Sequence, residues 1–348
     1  MRRVVLLAAV LLLAPSRVRA QSEGAGARVR GIVVTPEGRG LANSIVSLEP
    51  GGRELFADDS GGFFIGGLAA ASYHLRVRHL GFAPRDTTIV VETAGPAAPL
   101  VVRLERLTMR LGEVRVRGQK ECRDPGPPDP DTDPTLAVIF EQLRENADRW
   151  VLLARQYPFT WQMERQFRFG DGDRAQMTRP DTVVIRGDLA WGYAPGKVIS
   201  EVVDRGQRTR QLNIPGLRDL ADTVFLAAHC FSYGGLETVD DSEFVRLDFR
   251  AASRIRGPDI DGSAYLDPVT YQLRRATVRV TKPDEVGRNI TELRVTTWYR
   301  EIAPSIVILA GTRAVTTFDT RQGSADRTET QKTVGVKFYG RVPPGVVR

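Results

Sequence analysis

The sequence predicts a mainly β protein: an N-terminal β-sandwich, then a curved antiparallel sheet or half-barrel that one α-helix covers. Glycine and proline are frequent, at 33 and 21 of 348 residues, which is typical of many short strands joined by turns. Most stretches alternate apolar and polar residues, and one long stretch has helical spacing instead. A chain of this length can hold two domains with ordinary cores.

Residues 1–20, MRRVVLLAAVLLLAPSRVRA, have the pattern of a secretory signal peptide. Arg2 and Arg3 form a basic start, an apolar run follows, and Val18 and Ala20 place small residues where a signal peptidase cuts. We therefore expect cleavage after Ala20, export, and a periplasmic or outer-membrane-associated location. No later stretch is long and apolar enough for a membrane-spanning helix, so we expect no transmembrane segment in the mature chain.

Removal of the signal peptide lowers the net charge. It takes away four arginines and no acid, so Lys plus Arg falls from 49 to 45 against 42 acids, and the charge falls from +7 to +3. Such a mixed surface is unlike the basic footprint of a nucleic-acid binder. We expect the partner to be an envelope protein, a saccharide or a peptide of unknown identity, and no nucleic acid.

Residues 27–105 predict the sandwich, because short strands with turn signals recur every 8–12 residues or so. In the strand YHLRVRH, His74 and His79 are five positions apart and therefore lie on opposite faces. The third histidine, His229, is about 150 residues further on. A zinc site needs three or four converging ligands, so we expect structural histidines, no metal site and no cofactor.

The motifs PEGRGLANSIVSL, DDSGGFFIGGL and YHLRVRHLGF together resemble the carboxypeptidase regulatory-like domain, a prealbumin-like sandwich. The positions that correspond to the family pattern are Asp59, Gly62, Phe64, Leu68, Tyr73, Leu75, Gly81 and Phe82. The chain departs from the family at 70–72, where Ala-Ala-Ser replaces the usual Pro-Gly. The resemblance covers residues 28–105 and implies a fold and an accessory role beside other domains. It implies no activity, and the chain has no His-x-x-Glu peptidase motif.

Residues 106–133 are interpreted as a strand and a linker rich in proline and aspartate. LGEVRVRG resembles the strand that precedes the plug of TonB-dependent receptors, which can pair with a partner by strand addition. We favour the alternative, that it closes the sandwich. Asp129, Asp131 and Asp133 alternate as in a calcium loop, but the required glycine and closing glutamate are absent. A solvated acidic hinge is the better interpretation.

Residues 134–340 predict the helix and the antiparallel sheet. Asp133 can cap the helix and Pro134 suits its first position. The apolar helix positions are Leu136, Ile139, Phe140, Leu143, Ala147, Trp150, Val151 and Ala154. Alternation predicts strands in WQMERQFRF, TVVIRGDLAWGY and EFVRLDFRA, and a hairpin turning at Asp267-Pro268. That hairpin resembles one found in periplasmic lipoprotein-handling half-barrels. We expect the helix to cover the concave side of the sheet.

Two further features bear on chemistry. His229 and Cys230 are adjacent, and neighbouring strand residues point apart, so they are poorly placed to share a proton. Cys122 and Cys230 are the only cysteines, and an exported pair can oxidise. A disulfide would close a loop of 108 positions (230 minus 122) and stabilise the fold by up to about 4–5 kcal/mol in the chain-entropy model. Two unpaired buried thiols are the alternative.

The remaining carboxylates suggest no acid pair. Asp240, Asp241, Asp259 and Asp261 fall at predicted turns and are expected to be solvated. We therefore expect no catalytic residues and no enzyme. The predicted function is that of a non-enzymatic, exported envelope protein acting as a binding or accessory module through its sandwich and β-domain. The alternatives are a periplasmic small-ligand or lipid carrier with an apolar cavity in the C-terminal sheet, and a hydrolase that uses His229 or Cys230.

Overall fold

The computed structural model describes residues 27–92, 98–107, 121–170, 175–189, 192–204, 207–321 and 323–346. Three sequence predictions lie outside these residues. They are the signal peptide with its cleavage after Ala20, the strand LGEVRVRG, and the placement of Trp191 on a strand.

The N-terminal region is built from two facing sheets. Its strands are β1 (Ala27–Val34), β2 (Ile45–Glu49), β3 (Arg53–Phe56), β4 (Gly62–Leu68), β5 (Ala71–Arg78), β6 (Arg85–Val91) and β7 (Leu100–Arg103). One sheet has the order β4-β1-β7 and the other β3-β2-β5-β6, and only the β1–β7 pair is parallel. Alternate side chains such as Val33, Leu48 and Leu75 are buried between the sheets. The predicted sandwich is confirmed.

Helix α1 (Pro134–Gln156) begins where the sequence predicts. The Asp133 carboxylate accepts a hydrogen bond from the Leu136 backbone N–H at 2.9 Å, and Pro134 occupies the first turn. This cap satisfies one of the donors that a helix N-terminus leaves unpaired. Six of the eight predicted apolar positions are buried, which accounts for the 3–4 spacing, but Ala154 is only half-buried and Val151 is exposed.

The second region is dominated by one large sheet. Its strands are β8 (Phe159–Phe169), β9 (Gln176–Met177), β10 (Asp181–Arg186), β13 (His229–Val239), β14 (Ser242–Ala251), β15 (Ile260–Leu266), β16 (Leu273–Val280), β17 (Ile290–Ala303), β18 (Ile306–Thr320) and β19 (Gly323–Phe338). The order is β10-β8-β19-β18-β17-β16-β15-β14-β13, with β9 paired to β8, and every pair is antiparallel. The sheet is curved and does not close into a barrel, because β10 and β13 remain as edges.

Shorter elements complete this region. They are the hairpin of β11 (Ile199–Asp204) and β12 (Gln207–Leu212), a 3₁₀ turn (Asp219–Ala221), α2 (Thr223–Leu226) and α3 (Pro283–Val286). None of the helices in the described ranges is long and apolar enough to span a membrane.

The concave face of the large sheet is filled by side chains. Leu143 and Leu153 of α1 and Phe225 of α2 belong to one buried core with Leu247 and Ile306 of the sheet. All five are almost completely inaccessible to solvent. The prediction of a curved sheet covered by a helix is therefore confirmed, and the space between them is packed core.

One strand prediction is wrong in its extent. TVVIRGDLAWGY forms a strand only as far as Arg186, where Gly187 and Asp188 turn the chain. A Cβ at Gly187 would lie 2.5 Å from the Phe159 ring, so this close approach suits glycine. Beyond the turn, Leu189 is exposed and Tyr193 lies on a loop, although alternation placed both on one strand face.

The sandwich packs directly on α1. Arg78 of β5 forms ion pairs with Asp148 at 2.5 Å and Glu145 at 3.0 Å on the helix. Arg149 pairs with Glu145 at 3.1 Å and donates to the Asn43 carbonyl of the sandwich at 2.7 Å. We call Arg78, Glu145, Asp148 and Arg149 the docking cluster. It fixes the sandwich to the second core, where the sequence predicted only a hinge.

Candidate functional site

The two histidines of the sandwich lie on opposite faces, as predicted. His74 is exposed, and its Nε2 lies 3.1 Å from Asp86 Oδ1. His79 is buried beside the docking cluster, with Nδ1 2.9 Å from the Leu80 carbonyl and Nε2 3.2 Å from Ser305 Oγ. In the described part of the chain, no three His, Cys, Asp or Glu side chains converge as metal ligands would.

The contacts of His79 define its protonation. Nδ1–H donates to the Leu80 carbonyl and the Ser305 hydroxyl donates to Nε2, so the neutral ring satisfies both partners. Burial, with the Arg149 guanidinium as the next cause, lowers the pKa of His79 to about 3. This histidine is neutral at physiological pH and serves the packing between the two regions.

A second polar group forms around Asp259, which directly precedes β15. Its carboxylate accepts from the Tyr193 hydroxyl, the Gly196 N–H and the Ile260 N–H, each at 2.8 Å. Asp259 is completely buried, so the prediction that it is solvated is wrong. The carboxylate replaces water with three donors from two separate segments, which is how a buried charge is tolerated.

His229, at the start of β13, lies against this carboxylate. Its Nδ1 is 2.9 Å from the Phe225 carbonyl, its Nε2 is 3.1 Å from the Ile260 carbonyl, and Nε2 is 3.7 Å from Asp259 Oδ1. Carbonyl oxygens only accept, so both hydrogen bonds form together only when both ring nitrogens carry a proton. Burial lowers the pKa of His229, while the two carbonyls and Asp259 act in the opposite direction.

We call Tyr193, His229 and Asp259 the Asp259 cluster. Polar side chains thus gather here, where the sequence predicted a solvated carboxylate at a turn. Burial, followed by the Asp259 charge, raises the pKa of Tyr193, so the phenol keeps its proton. Asp240 and Asp241 do lie at the turn between β13 and β14, as predicted.

Cys230 does not belong to this cluster. It forms a disulfide with Cys122, with the two Cα atoms 5.5 Å apart. The bond ties the linker to the edge strand β13, and Cys122 also bridges to Ala252 through the backbone. While the disulfide is intact, Cys230 has no thiolate to offer as a nucleophile.

A cleft of about 420 Å³ opens beside the Asp259 cluster, between two loops. It is lined by Pro195, Gly196, Lys197, Arg254, Ile255, Arg256 and Gly257, and we call it the cationic cleft. Asp259 holds the first loop through the Gly196 N–H. Lys282 holds the second, donating from Nζ to the Arg256 carbonyl and, at 3.4 Å, to the Ile255 carbonyl.

Two glycines let the loops meet. A Cβ at Gly257 would lie 2.3 Å from the Gly196 carbonyl oxygen, so the backbones touch at this point. A second cleft of about 290 Å³ adjoins the first and shares Ile255 with it. Its walls carry both signs of charge, with Arg250 and Lys282 opposed by Glu121, Asp259 and Asp261. Asp261, also predicted to be solvated, is half-buried there and accepts from the Ala251 N–H at 2.9 Å.

The sequence indicates the two loops of this site but not that they contact each other. GYAPGK and RIRGP both contain glycine and proline, which predicts loops, and they carry one and two cations respectively. They are about 60 residues apart, and no local periodicity reports their contact. A tyrosine followed by Pro-Gly was the available signal that the first loop is anchored.

Residues 28–105 match the family model of the carboxypeptidase regulatory-like domain, which confirms the resemblance drawn from the motifs. Among curated proteins, none matches the chain.

Solved structures of low sequence identity are similar to part of the chain. A candidate outer membrane lipoprotein-sorting protein domain from Vibrio parahaemolyticus is 10% identical, with 58% of this chain and 93% of that chain covered and a TM-score of 0.34. A LolA superfamily protein from Nitrosomonas europaea is 13% identical, with 58% and 94% covered and a TM-score of 0.31. The Pseudomonas aeruginosa MucA/MucB complex is 10% identical, with 59% and 99% covered and a TM-score of 0.19.

Proposed function

We propose that this chain is a non-enzymatic, exported envelope protein that binds a partner as an accessory module. The observation that carries the proposal is the packed concave face of the large sheet. Leu143 and Leu153 of α1 fill the space that a carrier would need for an apolar ligand. The signal-peptide pattern of residues 1–20 supports export.

The polar side chains also favour binding over catalysis. Both nitrogens of His229 face backbone carbonyls, so neither is directed at a substrate as a general base would be. Cys230 is held in a disulfide. A hydrolase that uses this pair would require both groups to be released from their present partners.

The outer face of the sheet β4-β1-β7 offers a contact surface. Phe64 and Val101 are exposed there, at 54% and 58% of their full area. They pair with Arg30 and Ile32 of β1, which are two residues apart, so both side chains project from the same face. This face lies away from β3 and β5, which contact α1, and an exposed apolar pair beside an arginine suits a protein or peptide partner.

Photo-crosslinking in intact cells tests this proposal. A photoreactive residue at Phe64 of the full chain is expected to give one discrete adduct with an envelope protein or peptide. The same residue at Val184, an exposed position on the edge strand β10, is the control and is expected to give none. Equal adducts from both positions would contradict a specific surface.

Native mass spectrometry of the chain, extracted without detergent, distinguishes the accessory-module hypothesis from the lipid-carrier hypothesis. The expected mass is that of the chain alone. A stoichiometric apolar ligand, together with no adduct from Phe64, would overturn the proposal in favour of a lipid carrier.

A further inference from the structure

The cationic cleft concentrates one sign of charge. Lys197, Arg254 and Arg256 line it, and none of its seven lining residues is acidic. The neighbouring acid Asp259 is buried and already accepts three hydrogen bonds from other groups of the protein. It therefore forms no ion pair with these cations. Like charges gathered in one concavity repel each other and raise the local concentration of anions.

The walls of the cleft are held in place by other side chains. The Arg254 guanidinium donates from Nη2 to the Ala227 carbonyl at 2.9 Å, which fixes its position on the second loop. Gly196 is held by Asp259, and the 255–256 backbone is held by Lys282. The ordering cost of binding is therefore partly met in advance, as in preorganised sites.

We propose that the cationic cleft is a binding site for a phosphate-type anion, either a soluble phosphate ester or the headgroup of an anionic phospholipid. Arginine and lysine are the side chains that recognise phosphate oxygens, by forked and by point-charge hydrogen bonds respectively. Three such cations line an open cleft of about 420 Å³, which accommodates a phosphate group and part of its ester. This inference goes beyond the partner binding proposed above, and failure of either proposal leaves the other standing.

Titration with inorganic phosphate at constant ionic strength tests the site. The amide resonances of Gly196 and Gly257 report on the two loops. We expect them to shift in the wild-type chain, and the K197Q/R256Q variant to bind phosphate about tenfold more weakly. The control R300Q/R313Q removes the same charge from exposed positions on β17 and β18 and is expected to bind as the wild type does.

Sedimentation with vesicles distinguishes the two sources of phosphate. Vesicles of phosphatidylglycerol and phosphatidylcholine are compared with vesicles of phosphatidylcholine alone. Binding to the anionic vesicles that K197Q/R256Q loses and R300Q/R313Q retains assigns the site to a lipid headgroup. Phosphate binding without vesicle binding assigns it to a soluble ester.

Two results would overturn the proposal. One is that both double variants weaken phosphate binding equally, which would mean that binding depends only on the net charge of the chain. The other is a wild-type chain that binds neither inorganic phosphate nor the anionic vesicles.

Discussion

The docking cluster and the Asp259 cluster both hold charged side chains out of water, Glu145 and Arg149 in the first and Asp259 in the second, but their hydrogen-bond partners differ. In the docking cluster, Arg78 and Arg149 are paired with the carboxylates of Glu145 and Asp148. In the Asp259 cluster, the carboxylate bonds mainly to backbone N–H groups and His229 bonds to backbone carbonyls. The first arrangement joins two separately packed cores, and the second fixes the path of loops.

The contrast extends to the buried histidine beside each cluster. His79 donates to a carbonyl and accepts from a hydroxyl, so the neutral ring meets both partners. His229 faces two carbonyls and a carboxylate, so the neutral ring leaves one carbonyl without its bond. Burial lowers the pKa of both histidines. At His79 the Arg149 guanidinium adds to that shift, whereas at His229 the Asp259 carboxylate opposes it.

Removal of Arg149 should have the largest effect. In R149M, Glu145 stays buried with Arg78 as its remaining cation, and the Asn43 carbonyl loses its donor. We expect a loss of roughly 3–5 kcal/mol in the free energy of unfolding, the range for breaking a buried ion pair. Urea denaturation of the full chain measures it.

The matched control lies on the same helix. Arg155 pairs with Glu54 at 3.0 Å but is half exposed, so R155Q should cost no more than about 1 kcal/mol. Equal costs for the two variants would show that burial of the docking cluster contributes nothing to stability.

Neutralising Asp259 should come next. D259N keeps the volume but replaces one carboxylate oxygen with an N–H₂ group. That donor then faces either the Gly196 N–H, which bonds to Oδ2, or the Ile260 N–H, which bonds to Oδ1. We expect a loss of about 1–3 kcal/mol, the cost of leaving buried donors unsatisfied. D240N is the control. Asp240 is exposed at a turn, so D240N should have the same free energy of unfolding as the wild type. A D259N chain as stable as D240N would contradict the structural role of the carboxylate.

The fold was largely predictable because its signals are local. Alternation marks β14 and the first half of β8, since every second side chain there faces the core, whereas Phe169 at the end of β8 is exposed. Asp133 and Pro134 mark the start of α1, because capping depends on residues three positions apart. The motifs of residues 28–105 identified the sandwich.

The two polar clusters were not predictable for the opposite reason. Arg78 lies on the outward face of β5, and Glu145 and Asp148 read as the polar face of α1, so all three looked solvated. Packing of one core on the other buries Glu145 and leaves Arg78 and Asp148 only partly exposed. Asp259 likewise follows a Gly-Pro turn signal, and Tyr193, 66 residues earlier, is the partner that removes it from water. Burial of a polar group depends on such distant partners, which periodicity does not report.

Acid should weaken the docking region through His79. The folded pKa is about 3, and the free side chain titrates near 6.5. Between these values the unfolded chain binds one more proton, so the stabilisation is complete above about pH 6.5 and falls as the pH drops toward 3. Arg149 and Arg106 both oppose a charge on this ring.

Urea denaturation of the wild-type and H79Q chains at pH 7 and pH 5 measures how much of the stability lost in acid comes from His79. We expect the wild type to lose at most about 2 kcal/mol more than H79Q over this interval. Parallel losses in the two chains would place the acid sensitivity elsewhere.

The smallest effect concerns the loop that Asp259 holds. Gly196 has φ +69° and a Cβ there would lie 3.2 Å from Ile255 Cγ2, while Gly192 has φ +67° and open space around it. Both alanine variants carry the left-handed backbone cost of about 1–2 kcal/mol. G196A should cost a few tenths of a kcal/mol more, because the second loop must also give way. Identical unfolding free energies for G192A and G196A would mean that the two loops separate at no cost. Asp259 would then fix the position of the first loop only, and not its contact with the second.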